Sequence, residues 1–395
     1  MLAVGDQAVV AITNLALSVV VTHQAGVRAL GQFTIVMTTI LIAMGVTRIL
    51  VSDPWLASRT AGRSPGPEQR WLMLLAALAA ALVVGIAVQI ALDGEARWFW
   101  SCVIAPLVIL QDFGRYTAFR REAPAKALAS DLAILVVGAV VFAIWAATAH
   151  ADVTAVLVSW AIGLAVATRV SLGLRLGKVS PSGARTWWRT VCRPLAMKLA
   201  HDGLAYQVGV SGSLFVLAAV GTHRDVGIVR VVQSTFSPLL LTITGLSMWL
   251  VPFLAHRDTA RMLHVRRTAT ALLALASIVG VAAAVWAGPW LIGLVFGSEA
   301  VPERLSLLLA GGWAAAAAVA APWLASIRVA GTYSPIAWTR TAGAAITCLA
   351  LALVPWARGV NGYLGLLALQ YILVAVAAFV VGSRISDRKT DDVAA

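Results

Sequence analysis

The sequence has few charged residues for its length. Asp, Glu, Lys and Arg make up 12% of its 395 residues, whereas about 25% is usual in a soluble domain. Apolar residues account for 60%, and the mean hydropathy is +0.88. So few charges cannot cover the surface of a soluble protein of this size, and the apolar content excludes a disordered chain. The composition therefore predicts a protein embedded in a membrane.

Cysteine is scarce, and familiar catalytic motifs are missing. Cys102, Cys192 and Cys348 lie far apart, which predicts neither a disulfide framework nor a thiolate metal site. The six histidines are not grouped at the spacing of metal ligands. The sequence contains no phosphate-binding loop, zinc-protease motif or serine-hydrolase elbow. We therefore expect a protein that is not an enzyme and that needs no cofactor or metal.

Long apolar runs dominate the chain. A helix that crosses a bilayer needs about 20 largely apolar residues. Residues 290–296 form a further apolar patch after Pro289, and we do not assign this patch to the ninth of the spans given next. The sequence predicts twelve spans, in order residues 6–24, 32–51, 71–92, 98–119, 127–149, 153–173, 202–221, 227–252, 268–287, 305–328, 335–356 and 361–382.

Basic residues are concentrated in alternate loops between the predicted spans. Cytoplasmic loops of membrane proteins carry an excess of Lys and Arg, which also explains the net charge of +13 without a nucleic-acid partner. The distribution predicts a multi-pass protein of the cytoplasmic membrane with both termini in the cytoplasm. The predicted outer loops hold only Arg28, Arg97, Arg224, Arg304 and Arg358.

The chain divides into two related halves. Asp6 opens the first predicted span and Asp202 the seventh, and Gly31 and Gly227 are separated by the same 196 residues. Six spans return the chain to the same side, so the repeats are parallel. We predict an N-terminal six-helix lobe (1–173), a basic cytoplasmic linker (174–201), a C-terminal six-helix lobe (202–384) and a cytoplasmic tail (385–395).

The central linker has two interpretations. Residues 182–199 could form an amphipathic helix on the inner leaflet, with Trp187 and Trp188 inserted among the lipids. Alternatively, the segment is a solvated basic connection.

Charged residues inside the predicted spans are the candidate site residues. A charge at the bilayer centre costs about 2.5–3.5 kcal/mol on insertion scales, so it should be paired, placed at the interface or functional. For Arg48, Arg169, Arg230 and Arg340 the alternative is a side chain that reaches the interface. For Asp112 and Arg115 the alternative to a functional role is an ion pair within one helix. The candidate substrate-binding residues are Arg48, Arg115, Arg230, Asp112, Asn14 and Gln233.

Acidic and amide residues complete the intramembrane set. Asp6, Asp131 and Asp202 stand at predicted cytoplasmic helix starts, where an acid would cap backbone amides. Asp6 and Asp202 are alternatively candidates for coupling transport to an ion. Buried amides, such as Gln111, are most simply helix–helix hydrogen bonds. The intramembrane charge is predicted to be mainly cationic, which suits a phosphate-bearing headgroup because arginine binds phosphate bidentately.

A few segments of the two halves form a recognisable pattern. They are Gly5-Asp6-Gln7, Thr13-Asn14, Ala29–Phe33, Thr47–Pro54 and Gly227–Gln233 with Pro238. These segments resemble the bacterial polysaccharide-export, or O-antigen-type, flippases of the multidrug/oligosaccharidyl-lipid/polysaccharide (MOP) exporter superfamily. The Ala, Val, Arg and Trp usage of the chain is similar to that of high-GC actinobacteria.

The resemblance implies an all-α fold of about twelve transmembrane helices in two six-helix lobes, V-shaped and similar to multidrug and toxin extrusion (MATE) transporters. It implies transport of a polyprenyl-pyrophosphate-linked oligosaccharide by alternating access, for cell-surface polysaccharide biosynthesis. The partners would be the lipid-linked glycan, membrane lipids, and the polymerase and glycosyltransferases of the same pathway. Two alternatives stay open: a multidrug or cation antiporter of the same superfamily, and a membrane-embedded glycan polymerase or ligase.

Overall fold

The structure is a computed structural model in which helices account for nearly every residue described. No strand occurs among the residues that the structure describes, which confirms the all-α prediction. The chain forms two compact units, Met1–Gln207 and Val208–Ala395. The structure describes residues 2–57, 66–92, 94–148, 152–172, 181–240, 243, 259–330 and 334–394.

The described residues of the N-terminal unit form eight α-helices and two single-turn π-helical segments, Arg48–Ser52 and Trp188–Cys192. A π-helical turn shifts backbone carbonyls out of the regular hydrogen-bond ladder. Two such carbonyls, of Leu50 and Val51, are contacted by the side chains of Trp188 and Cys192. The helices are α1 (Leu2–Thr47), α2 (Asp53–Ala57), α3 (Pro67–Ala91), α4 (Ser101–Arg120), α5 (Pro124–Thr148), α6 (Val153–Leu172), α7 (Pro181–Trp187) and α8 (Arg193–Gln207).

The C-terminal unit begins with the π-helical turn Val208–Gly212, which continues α8 directly into the next helix. Short 3₁₀ turns at Ser298–Ala300 and Pro355–Arg358 connect later helices. The helices are α9 (Ser213–Val220), α10 (His223–Thr235), α11 (Thr259–Phe296), α12 (Arg304–Ala330), α13 (Ser334–Leu353) and α14 (Val360–Ala394).

Within the ranges described, nine helices are long and apolar enough to cross a membrane. The first, Ala8–Trp55, is too long for one crossing, because 48 residues of helix extend about 72 Å and the hydrocarbon core is about 30 Å thick. Gly26 divides α1 with a φ of 78°, a conformation that favours glycine. The first two predicted spans are therefore the two parts of α1. The fourth predicted span corresponds to α4, which is 20 residues long but carries charged residues in its second half.

Two predicted boundaries differ from the structure. The ninth span is longer than predicted, because α11 continues through Pro289 and includes the apolar patch after it. The predicted linker is helical from Pro181, and Pro181–Val220 is helical without a break. Trp187 and Trp188 are half-buried against a cluster of side chains that contains Trp55. The end of the eighth span, up to Pro252, and residues 174–180 lie outside the described residues.

Glycine allows two helices of the N-terminal unit to pack closely. A Cβ atom added at Gly163 on α6 would lie 2.8 Å from the carbonyl oxygen of Ile134 on α5. Backbone on the facing helix cannot move aside as a flexible side chain can. This contact fixes α5 against α6, and α5 carries Asp131, one of the buried acids described below.

We predict that Gly163→Leu lowers the thermal stability of the purified protein in detergent. Overpacking of this kind costs about 1–3 kcal/mol. The matched control is Gly280→Leu on α11, because a Cβ at Gly280 meets no atom within 4 Å. Equal melting temperatures for the two variants would contradict the close packing of α5 and α6.

Candidate functional site

Buried charges from four chain segments meet inside the N-terminal unit. We call Asp6, Arg48, Asp112, Arg115 and Asp131 the charge cluster. They come from α1, the π-helical turn after it, α4 and α5. Four of the side chains are 10% exposed or less, whereas that of Arg48 is 32% exposed. One cationic member of the cluster is thus accessible from outside the protein interior.

Arg48 and Asp112 form a two-point ion pair. The Arg48 Nε atom donates to Asp112 Oδ2 at 2.7 Å, and Nη2 donates to Oδ1 at 2.5 Å. The Arg48 guanidinium also lies 5.7 Å from the centre of the Tyr116 ring. Bidentate guanidinium–carboxylate pairs are among the strongest hydrogen-bonded contacts in proteins. The predicted alternative, in which Arg48 only reaches the membrane interface, is therefore wrong.

Arg115 is the centre of the cluster. Its Nη2 atom donates to Asp6 Oδ2, and its Nε atom lies 3.2 Å from Asp131 Oδ2. A third acid is further away, since Arg115 Nη1 and Asp112 Oδ1 are 3.9 Å apart. Arg115 and Asp112 thus have nearer partners on other segments, and the intrahelical pair predicted from their spacing is a secondary contact.

Neutral groups support the Asp131 carboxylate. Gln111 Nε2 donates to Asp131 Oδ1 at 2.6 Å and lies 3.3 Å from Ser130 Oγ. Ser130 Oγ donates in turn to the carbonyl oxygen of Ala167 on α6 at 3.1 Å. The hydrogen bonds of Gln111 connect α4 to α5, as predicted for buried amides. A Cβ atom added at Gly114 on α4 would lie 2.1 Å from Ser171 Oγ on α6, so glycine at this position allows α4 and α6 to pack closely.

The helix-capping role predicted for three acids is wrong. Asp6 lies in the second turn of α1 and is fully buried. Asp131 lies seven residues after the start of α5 and is 1% exposed. Asp202 lies inside α8 rather than at a helix start, and it is half-buried. Asp6 and Asp131 neutralise arginine instead of capping backbone amides.

The remaining candidates belong to other parts of the chain. Asn14 is half-buried on α1, and its backbone carbonyl accepts a hydrogen bond from Ser18. Arg230 and Gln233 lie on α10 in the C-terminal unit. The Arg230 Nε atom is buried without a hydrogen-bond partner among the described residues, and Gln233 interacts with the Tyr363 hydroxyl group.

Sequence reasoning placed two important residues wrongly. Asp131 was predicted to be a helix cap, and Arg266 lies in a stretch predicted to be a cytoplasmic loop. In the structure Arg266 is 1% exposed, and its guanidinium lies 3.8 Å from the centre of the Trp323 ring. Its Nη1 atom donates to the carbonyl oxygen of Gly382 at 3.1 Å. The basic residues around Arg266 predict a loop, whereas in the structure residues 259–296 form one helix.

The charge cluster contains more acids than bases. Three carboxylates face two guanidiniums, so the cluster has a formal charge of −1 when all five groups are ionised. The cationic excess predicted for the spans as a whole also counted three arginines outside the cluster, Arg169, Arg230 and Arg340. No group of side chains suited to a metal ion occurs in the part of the chain that the structure describes. The arrangement can bind an anion at Arg48 and hold a surplus negative charge nearby.

Comparison with solved structures identifies the fold. No protein-family model matches the sequence, and no curated protein matches it. An inward-facing MATE multidrug resistance transporter of the MOP superfamily matches with a TM-score of 0.69 and 14% identity, over 98% of this chain and 96% of the other. The lipid II flippase MurJ, in an inward closed conformation, matches with a TM-score of 0.68 and 9% identity, over 94% and 85%.

A third neighbour has a different pocket polarity. It is a MOP superfamily transporter from Pyrococcus furiosus, for which reverse polarity of the binding pocket suggests a different function. It matches with a TM-score of 0.64 and 12% identity, over 98% of this chain and 94% of the other. The chain therefore has the polytopic, MATE-like fold found in MOP-superfamily transporters, as predicted.

We predict that Arg115→Gln strongly destabilises the protein. Removing one partner of a buried ion pair costs about 3–5 kcal/mol, because the remaining carboxylates stay buried without compensation. The matched control is Arg169→Gln, which removes an exposed arginine of α6 and should change stability by at most about 0.5 kcal/mol. Thermal unfolding in detergent measures both variants.

Adding Asp6→Asn to Arg115→Gln should recover part of the loss, because it removes one of the uncompensated charges. Unchanged stability in Arg115→Gln, relative to Arg169→Gln, would contradict the central role of Arg115.

Proposed function

We propose that this protein transports a polyprenyl-pyrophosphate-linked oligosaccharide from the inner to the outer leaflet of the cytoplasmic membrane by alternating access. Its fold is that of MOP-superfamily transporters, and MurJ, one of the neighbours, is a lipid II flippase. A substrate of this kind combines an apolar tail with a compact anionic group. The charge cluster offers a binding group for the anionic part.

One observation carries this function: the exposure of the two partners in the Arg48–Asp112 pair differs. The side chain of Arg48 is 32% exposed, whereas that of Asp112 is 4% exposed. A phosphate group presents paired oxygens with the same geometry as a carboxylate. A pyrophosphate that approaches from the accessible side can therefore compete with Asp112 for the guanidinium of Arg48.

The rest of the cluster makes such an exchange feasible. If Arg48 turns to a phosphate, the Asp112 carboxylate loses its nearest cation. Arg115 Nη1 is 3.9 Å from Asp112 Oδ1, so a small movement would bring the two groups into contact. Asp112 would then share the Arg115 guanidinium with Asp6 and Asp131 while the substrate is bound. Release of the phosphate outside would restore the Arg48–Asp112 pair.

The two compact units are the natural candidates for the two lobes of an alternating-access transporter. Arg230, on α10 of the C-terminal unit, is a second candidate phosphate ligand, because its Nε atom has no hydrogen-bond partner among the described residues. We place both termini in the cytoplasm, as the basic loops predict. Glycosyltransferases would supply the substrate on the inner face, and a glycan polymerase would consume it outside.

A cation or multidrug antiporter is the second candidate function. The surplus carboxylate of the charge cluster favours it, because a formal charge of −1 could attract a proton or a cationic substrate. In this case Asp6 would be the residue that couples transport to an ion. The two functions require substrates of opposite charge, so one assay can separate them.

We predict that Arg48→Gln abolishes transport of a fluorescent polyprenyl-pyrophosphate oligosaccharide in proteoliposomes while insertion is retained. The loss follows because a neutral amide cannot replace the two-point contact with phosphate. Arg48→Lys should keep part of the activity, since lysine binds phosphate as a point charge. Arg169→Gln is the control and should transport normally. The readout is the fraction of probe that an external membrane-impermeant quencher reaches.

Full transport by Arg48→Gln would contradict the role of Arg48 as a phosphate ligand. Gradient-driven efflux of a lipophilic cation, without transport of the anionic probe, would show the antiporter function instead.

A further inference from the structure

A groove runs along the C-terminal unit. It lies between α11 and α12 and has a volume of about 620 Å³. This is within the range of about 300–1,000 Å³ that is usual for ligand pockets. Apart from Ser277 and Arg304 its lining is apolar. Its lining includes Ala274, Val281 and Val285 from α11 and Leu308, Gly312 and Val319 from α12.

Small residues create the groove. A Cβ at Gly311 would lie 2.7 Å from both methyl carbons of Val281, so the two helices touch at this point. Next to this contact, Ala282, Gly312 and Ala315 line the groove with little side-chain volume. The helices therefore stay in contact while a channel remains open along their length. Larger residues at these positions would fill it.

The two ends of the groove differ in chemistry. Arg304, the first residue of α12, is the only charged residue of the lining and is exposed. Trp286, 83% exposed, also lines the groove at the C-terminal part of α11. The neighbouring Glu303 accepts a hydrogen bond from Asn361 at 2.7 Å. In the ranges described, no carboxylate forms an ion pair with Arg304.

The length of the groove corresponds to one leaflet of a bilayer. From Ala274 to Val285, α11 rises about 16 Å, at 1.5 Å per residue. Half of the hydrocarbon core is about 15 Å. A tryptophan beside an arginine is the usual arrangement at the boundary between acyl chains and headgroups. The groove therefore extends from this boundary to about the middle of the membrane.

The geometry points to a binding site for an anionic membrane phospholipid, with one acyl chain in the groove and its phosphate at Arg304. The net negative charge of such a lipid complements the unpaired guanidinium. A single arginine suits one phosphate diester, and the groove suits one chain that ends at the bilayer centre. A polyprenyl pyrophosphate has two phosphates and a much longer tail, so it fits less well. The basic-loop orientation places this lipid in the outer leaflet.

Photo-crosslinking tests this site on the full-length protein. The purified chain in nanodiscs receives phosphatidylglycerol with a diazirine in one acyl chain, and labelled peptides are mapped after irradiation. Parallel samples contain a diacylglycerol, or a polyprenyl phosphate, with the same photoreactive group. The exposed Leu82–Ile90 face of α3 measures the background from ordinary surrounding lipid.

We expect phosphatidylglycerol to label residues 274–285 and 308–319 above this background, and diacylglycerol to label them less. Ala282→Phe should remove most of the excess because it fills the groove. Ala283→Phe is the matched control, since Ala283 is exposed on the same helix outside the lining. Arg304→Gln should weaken the preference for phosphatidylglycerol by up to about fivefold, as for an exposed charge pair.

Labelling at the background level, or equal loss in Ala282→Phe and Ala283→Phe, would overturn the site. Preferential labelling by the polyprenyl phosphate would overturn the assignment to a phospholipid.

Discussion

The N-terminal unit depends on the neutralisation of buried arginine by buried aspartate. A charge inside a membrane protein is tolerated only with a partner, because neither lipid nor the protein interior solvates it well. Arg115 satisfies this condition for Asp6 and Asp131, and Arg48 satisfies it for Asp112. The acids lie on three different helices, so α1, α4 and α5 must all be in place before the charges are balanced. The same pairing that stabilises the unit also prepares one guanidinium to accept an anion.

The two arginines of the charge cluster differ in burial and in partners. Arg115 is surrounded by three acids and is almost fully buried, which suits a structural role. Arg48 forms its ion pair with Asp112 and has an accessible edge, which suits a role in binding. The cluster holds three carboxylates against two guanidiniums, so Arg115 is shared among acids from three helices.

Hydropathy and basic-loop counts were enough to predict most of the helices, because both signals are local in sequence. They also identified Arg48, Asp112, Arg115 and Asp6 as unusual. The partners of these residues could not be predicted, since the contacts join positions 64 and 109 residues apart. A sequence without an alignment gives no information on such pairs. Asp131 and Arg266 were misplaced for a related reason: both lie near span ends, where one helical turn separates an interfacial charge from a buried one.

The affinity of the protein for a polyprenyl pyrophosphate, compared between wild type and Asp112→Asn, tests the central claim most directly. If Asp112 and phosphate compete for the same guanidinium, neutralising Asp112 removes the competitor and should tighten binding in detergent titrations. Adding Arg48→Gln to this variant should abolish the gain, because the guanidinium itself is then missing. Unchanged or weaker binding by folded Asp112→Asn would contradict the account.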